Sequence, residues 1–252
     1  MKVRLDKLLV ERALVPSRER AHALILAGRV LVNEQKIEKA GASVDTEVAV
    51  RLLGDDLRYV GRGGLKLERA LEHWKIDVQG RTCMDVGAST GGFTDCLLQH
   101  GAKQVISVDT GFGQIDAKLR ADERVHLLER TNARYLTRGQ VEEASGGGEL
   151  PAVVAMDVSF ISATLVLPAV IAVLRDSSAE RRQLVVLVKP QFEVGRERVG
   201  KGGIVRDHAA QQSAVEKVRN CVAALGMKSL DVIDSPVLGA EGNREFLLYS
   251  EL

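Results

Sequence analysis

Asp85-Val86-Gly87-Ala88-Ser89-Thr90-Gly91-Gly92-Phe93 follows a short apolar run (Cys83, Met84, Val86) and precedes a helical pattern (Phe93, Cys96, Leu97, Leu98). It therefore sits where a strand hands over to a helix in an α/β unit. Nucleotides bind at such a junction. Gly87, Gly91 and Gly92 let the backbone turn tightly and approach a ligand, and Asp85 closes the strand with a carboxylate aimed at the same crevice. Many strand-to-helix turns use glycine for steric reasons alone, so the turn by itself names no ligand.

The next segment discriminates between ligands. Gln104-Val105-Ile106-Ser107-Val108-Asp109 reads as a second strand, ending in an acid about 20 residues on, the position that binds a ribose hydroxyl pair in this architecture. The turn is not Gly-x-Gly-x-x-Gly, and the chain has no Walker-type Gly-Lys-Ser/Thr. Those absences weaken NAD and ATP and leave S-adenosylmethionine (SAM), whose cationic sulfonium tolerates a nearby carboxylate better than a pyrophosphate does. Beyond Asp109 the alternation continues: a helix over 111–120, strands over 125–128 and 152–157, a helix over 161–174, a strand over 183–189, a long helix over 207–225, and closing strands over 228–233 and 244–249. Seven strands ending in a hairpin match a doubly wound, Rossmann-like, SAM-dependent methyltransferase domain. Ser145 to Gly148 reads as a loop tip.

Upstream, residues 3–53 form a separate α+β module. Leu5, Leu8 and Leu9 mark a first helix. Ser17 is a good N-cap for a second helix over 18–27, with Gly28 at its end. Val30–Val32 and Val48–Val50 are short strands separated by Gly41 and Asp45. The order Arg4-Leu5-Asp6-Lys7-Leu8-Leu9, Ser17-Arg18, Ala21, Ile25, Gly28-Arg29-Val30 and Val32-Asn33 resembles the small RNA-binding domain named after ribosomal protein S-four. The resemblance implies that Arg4, Lys7, Ser17, Arg18, Arg20 and Arg29 contact phosphates, which position an RNA without reading its sequence. The alternative is an ordinary solvated helix face. The resulting division is an RNA-binding domain over 1–54, a linker over 55–61 and a methyltransferase domain over 62–252.

The chain of 252 residues, 45% hydrophobic, can bury a full α/β core with room for this small second domain. No apolar run reaches the ~20 residues needed to span a bilayer, and Met1-Lys2-Val3-Arg4-Leu5-Asp6 is not a signal peptide, so a cytoplasmic location is expected. Cys83, Cys96 and Cys221 lack metal-ligand spacing, and no metal is expected. The net charge of +1 requires any basic surface to be local.

Two charges end apolar strands: Asp157 after Val153-Val154-Ala155-Met156, and Lys189 after Leu184-Val185-Val186-Leu187-Val188. A strand buried on both faces gains nothing from a terminal charge unless something pairs with it, so the two face one another or a ligand; a structural salt bridge is the bland alternative. Asp157 is followed by Val-Ser-Phe, not by the Pro-Pro-aromatic run usual in exocyclic-amine methyltransferases. No cysteine nucleophile lies near this strand either. Proton removal from a hydroxyl, which suits lysine and aspartate, is what remains.

Gly61-Arg62-Gly63-Gly64-Leu65-Lys66-Leu67, the Asp85–Thr94 turn, Glu129-Arg130-Thr131-Asn132-Ala133-Arg134, Asp157-Val158-Ser159-Phe160-Ile161-Ser162 and Val188-Lys189-Pro190-Gln191-Phe192-Glu193-Val194-Gly195 together resemble the TlyA, or haemolysin A, family over nearly the whole chain. Its catalytic part is similar to the FtsJ-type ribose 2′-O-methyltransferases. The resemblance implies a Lys-Asp-Lys-Glu tetrad at Lys66, Asp157, Lys189 and Glu245, with a cytidine ribose in ribosomal RNA as substrate. In that reading SAM lies over Asp85, Gly87, Ala88, Ser89, Thr90, Gly91, Gly92 and Phe93, with Asp109 on its ribose, Asn132 or a neighbour near its adenine and Asp157 near its sulfonium. Lys189 is the general base, Lys66 and Glu245 hold the substrate ribose, and Arg62 joins the RNA contacts. The glycine-rich loop 191–206 is a candidate lid. Ribosomal RNA and the ribosomal subunits are the expected partners. Large-subunit RNA is favoured because the chain starts at the module's first helix and stops just after its last strand. The alternatives are a non-catalytic SAM-binding assembly factor and a membrane-active haemolysin.

Overall fold

In the computed structural model, which describes residues 2–12, 14–15, 17–53, 58–239 and 241–252 without the side chains of Ser229 and Leu230, an apolar stripe on the first helix starts the first core. The chain divides into two units, Met1–Asp56 and Leu57–Leu252. The first unit runs β1 (Lys2–Arg4), α1 (Leu5–Glu11), α2 (Arg18–Leu26), β2 (Val30–Val32), β3 (Gln35–Lys36), β4 (Ser43–Asp45) and β5 (Val50–Leu52). Leu5, Leu8 and Leu9 of α1 pack with Ala21, Leu24 and Ile25 of α2 and with Val30, Val32 and Val44. Ser17 caps α2 by accepting the Arg20 N–H, and Gly28 takes φ +64° just past its end. The strand expected over 48–50 lies two residues later, because β5 takes its register from β2, Val30 facing Leu52 and Val32 facing Val50. Strands β1, β3 and β4 went unforeseen. Each has at most three residues, too few to show a period.

Of the expected linker, residues 55–57 lie outside the described residues. The rest packs on the second unit: Tyr59 is buried with its hydroxyl on Glu68 (3.0 Å), and the Val60 N–H donates to Asp95 (2.8 Å).

The second unit runs α3 (Gly63–Trp74), β6 (Thr82–Val86), α4 (Gly92–Gln99), β7 (Gln104–Val108), α5 (Ala117–Arg120), β8 (Val125–Leu128), α6 (Arg138–Ala144), β9 (Val153–Met156), α7 (Ala163–Arg175), β10 (Gln183–Val188), α8 (Pro190–Glu193), α9 (His208–Ala224), β11 (Lys228–Asp234) and β12 (Phe246–Glu251). Its sheet has seven strands in the order β11-β12-β10-β9-β6-β7-β8. The run from β8 to β10 is parallel, and β12 is antiparallel to both of its neighbours. Alternate residues serve the two faces. Met84, Ile106, Val154 and Val186 face α6, α7 and α9, while Cys83, Val105, Ala155 and Leu187 face α3 and α4. Burial on both sides is why these strands read as unbroken apolar runs.

The strand order reverses between β6 and β9, so their carboxyl ends open the crevice where such sheets bind ligands. The helix expected over 111–120 is only the four-residue α5. The Asp109 carboxylate draws in the Gly111 N–H at 2.6 Å, and the Asp116 side chain caps the helix on the Lys118 N–H. Residues 110–116 are therefore a loop over the end of β7.

Candidate active site

Gly87 joins the two central strand ends. Its φ is +90°, and a Cβ there would lie 2.3 Å from the Asp157 carbonyl oxygen, so only glycine lets the turn after β6 meet the end of β9. At Gly92 a Cβ would reach 3.0 Å from the Gly64 nitrogen, and the starts of α3 and α4 touch at glycine backbone.

Two hollows flank this junction and share Gly87, Ser89 and Asp157. The first, about 490 Å³, is lined by Asp109, Thr110, Gly111, Gln114, Thr131, Asn132 and the Val158–Ile161 segment. The second, about 500 Å³, is lined by Lys66, Lys189, Glu245, Arg62, Phe93 and Leu238. The four residues expected as a tetrad thus line one cleft, although they are spread over 180 positions of the chain.

Within that cleft they form two ion pairs. Lys66 Nζ lies 2.6 Å from Glu245 Oε2, with side-chain exposures of 11% and 2%. Lys189 Nζ lies 2.6 Å from Asp157 Oδ1 and donates to Ser159 Oγ at 2.7 Å. The backbone supplies this arrangement: Lys66 is on the first turn of α3, Asp157 and Lys189 end β9 and β10, and Glu245 immediately precedes β12. Ser159 carried no assigned role in the sequence reading. Its position two residues after Asp157, within the same motif and loop, is the signal that could have marked it.

In the other hollow Asp109 already holds the turn in shape, accepting the Ser89 N–H (2.8 Å) and the Gly111 N–H (2.6 Å). Asn132 lines it too, while its Oδ1 accepts the Arg134 N–H. Phe160 stands at its lip, 92% exposed with φ +64°, its ring centroid 5.4 Å from that of Phe192.

Asp85 corrects an expectation. Its carboxylate is fully buried beneath the turn and lines neither hollow. Oδ2 accepts from the Thr94 N–H (2.9 Å) and hydroxyl (2.7 Å), which ties β6 to the first turn of α4, and Oδ1 has no partner. Gly91, with φ +96°, packs on Leu119 and lines neither hollow. Burial pushes the Asp85 carboxyl from 3.8 up to about 7, against the Thr94 hydrogen bond and with the charge of Asp157 adding to the rise. The folded state therefore holds this proton more tightly than the unfolded chain. The linked stability, roughly 4 kcal/mol, is complete below pH 3.8 and is lost as pH rises through about 7. Asp85→Asn is expected to flatten this decline and to raise the melting temperature more at pH 8 than at pH 5; equal pH dependence in both proteins would contradict it.

The lid expectation also changes. Glu193 in α8 is buried, accepting from Ser162 Oγ (2.5 Å) and the Ala163 N–H (2.6 Å). At the other end Asn243 and Gln211 hold Gly203 and Val205. Both ends of the loop are tied to the core.

In the first unit the expected phosphate contacts separate into two groups. Arg4 and Arg18 converge on the buried Asp6 at 2.9 and 3.0 Å with their side chains more than half exposed, and the hydrogen bond from Arg4 holds that carboxyl well below the usual range. Lys7 is exposed beside Glu11. Ser17 caps α2, and Arg29 donates its Nε–H to the Leu53 carbonyl. Arg20 is half-buried on α2.

Among the described residues no three His, Cys, Asp or Glu side chains form a group that could hold a metal ion, and no helix is long and apolar enough to cross a membrane.

Comparison with known proteins agrees with this division. Residues 59–252 match the FtsJ-like methyltransferase model, and residues 3–50 match the S4 domain. The chain is 43% identical, over 98% of its length and 89% of the relative's, to the 16S/23S rRNA (cytidine-2′-O)-methyltransferase TlyA of Mycobacterium tuberculosis. A solved structure titled "Putative hemolysin from Streptococcus thermophilus" is 41% identical and superimposes with a TM-score of 0.75, covering 99% of this chain and 88% of that one. An S-adenosylmethionine dependent methyltransferase from Mesorhizobium loti, 15% identical with a TM-score of 0.52 over 76% of this chain and 99% of its own, shares the fold alone.

Proposed function

The chain belongs to the FtsJ-like methyltransferase family, and on that premise we propose that it methylates the 2′-hydroxyl of a cytidine in ribosomal RNA, with SAM as donor. The observation that carries the reading is the pair of hollows meeting at Asp157, one suited to a donor and the other lined by two lysines and two acids. The relative's name supplies the substrate class.

The donor chemistry fits the first hollow. Its size is in the range of small-molecule sites, about 300–1,000 Å³. No lysine or arginine lines it, while Asp109 and Asp157 do, so a pyrophosphate would find no counter-charge there, whereas a ribose diol and a sulfonium meet carboxylates. Bound there, SAM supplies a methyl group activated by its positive sulfur. Asp109 would take the ribose diol, and Asp157 would favour positive charge at the shared wall. Asp109→Ala is expected to weaken SAM binding 10- to 100-fold, the net loss of about one charge-assisted hydrogen bond at about 1.5–3 kcal/mol. Calorimetry giving an unchanged affinity would count against this.

Across the wall, the remaining roles follow from the ion pairs. Asp157 and Ser159 accept from Lys189 Nζ on two sides; as the neutral amine, Nζ would keep one lone pair for the substrate hydroxyl and would take its proton there, becoming the ammonium that pairs with Asp157, as the oxygen becomes a nucleophile. Lys66 and Glu245 would fix the ribose so that this oxygen faces the shared wall. Arg4, Lys7 and Arg18 offer exposed cations for RNA phosphates, and Arg62 does so at the cleft. Phe160 and Phe192 offer aromatic faces to an unstacked base.

The test is incubation of pure protein with methyl-labelled SAM and ribosomal subunits lacking the modification, followed by mapping of 2′-O-methylcytidine in both subunits' RNA. Label at a cytidine ribose is expected. RNA binding and SAM binding without transfer would favour a non-catalytic assembly factor instead.

A further inference from the structure

A third hollow, about 620 Å³, adjoins the catalytic cleft and shares Leu238 with it. The chain entering β12 links the two. Extended backbone sends consecutive side chains to opposite sides, and here Glu245 lines the catalytic cleft while Arg244 lines the third hollow.

The cations in this hollow differ in kind. Arg244 is neutralised by Asp234 through two contacts of 2.9 and 3.0 Å. Arg206 has no acid partner among the described residues and is exposed, so within this hollow it contrasts with the neutralised Arg244. Its backbone is nonetheless held firmly. Buried Asn243 accepts the Val205 N–H (2.9 Å) and donates to the Gly203 carbonyl (2.8 Å), and buried Gln211 donates to the Val205 carbonyl (2.8 Å). Two buried amides thus fix the residues leading to one solvent-facing, unpaired guanidinium. A positioned single positive charge next to a nucleotide cleft matches a single phosphodiester.

We propose that this hollow holds the phosphate–ribose unit of the nucleotide adjacent to the one being methylated, with Arg206 on its phosphate. The proposal rests on the reading of the substrate as RNA. A polymer gripped at one ribose must leave the cleft along its rim, and the shared wall at Leu238 with the Arg244–Glu245 step gives that path. The charge of Arg206 raises affinity for RNA without touching the reacting atoms, so Arg206 is a positioning residue.

The experiment measures methylation kinetics on ribosomal subunits at several salt concentrations for the unaltered protein, Arg206→Ala, Arg206→Lys, and Arg219→Ala on the exposed side of α9. Arg206→Ala is expected to raise KM for RNA about tenfold with kcat changed by less than about twofold, and to reduce the slope of log affinity against log salt by about one. Arg206→Lys is expected to recover most of the KM, because a phosphate accepts any cation, and SAM affinity and the Arg219 control are expected to stay as they are. Unchanged KM and salt slope in Arg206→Ala would overturn the proposal while leaving RNA methylation intact. If the unaltered protein transferred no methyl group to RNA, the underlying reading would fall instead, and this proposal with it.

Discussion

Lys189→Ala is expected to slow methyl transfer about 10³-fold while SAM affinity stays within about threefold, because general-base catalysis is worth about 10²–10⁴ and Lys189 does not line the donor hollow. A positive charge beside Asp157 could explain a loss of activity without any proton transfer, so the informative variant is Lys189→Arg. It keeps a cation within reach of Asp157 and Ser159 but cannot give up its proton. Both variants are therefore expected to be inactive when assayed with saturating SAM and RNA. Substantial turnover by Lys189→Arg would assign Lys189 an electrostatic role and leave the base unidentified.

The second large effect concerns the other ion pair. Glu245 is almost wholly enclosed, so Lys66→Ala leaves a carboxylate buried without its partner, at a cost of about 3–5 kcal/mol, and Glu245→Ala strands the lysine in the same way. Activity and melting temperature should fall together in each single variant. Replacing both, Lys66→Met with Glu245→Leu, removes both charges and fills their volume, which is expected to restore the melting temperature to near that of the unaltered protein. Methylation should stay lost in the double variant if the pair holds the substrate ribose. Recovery of turnover alongside stability would mean that the pair is only structural.

Between them the two pairs show what neighbouring opposite charges achieve at strand ends. Each lysine is held at 2.6 Å by an acid from a different element. Long flexible side chains are thereby fixed before any substrate arrives, which limits the ordering cost at the moment of binding. The same logic extends to Arg206, where the backbone is the part held and the charge is left open.

The alternation of apolar strands and helices, the glycine turn after β6 and the capped helix at Ser17 were legible from residue order, because they depend on local period and on a side chain reaching only three residues. The resemblance carried by long motifs around Lys66, Asp157 and Lys189, and a shorter one around Glu245, named four residues that line one cleft. Tertiary structure alone decided the pairing. Residues 66 and 245 meet because β12 inserts between β10 and β11, a strand order that no local pattern encodes. It also turned Asp85 inward under its own turn, tied Ser17 and Arg29 into hydrogen bonds of the first unit, and drew Val205 to Asn243 beside an unpaired Arg206. Periodicity tells which face of an element is apolar; which charge meets which depends on the packing of elements far apart in the chain, and that is set by the whole core at once.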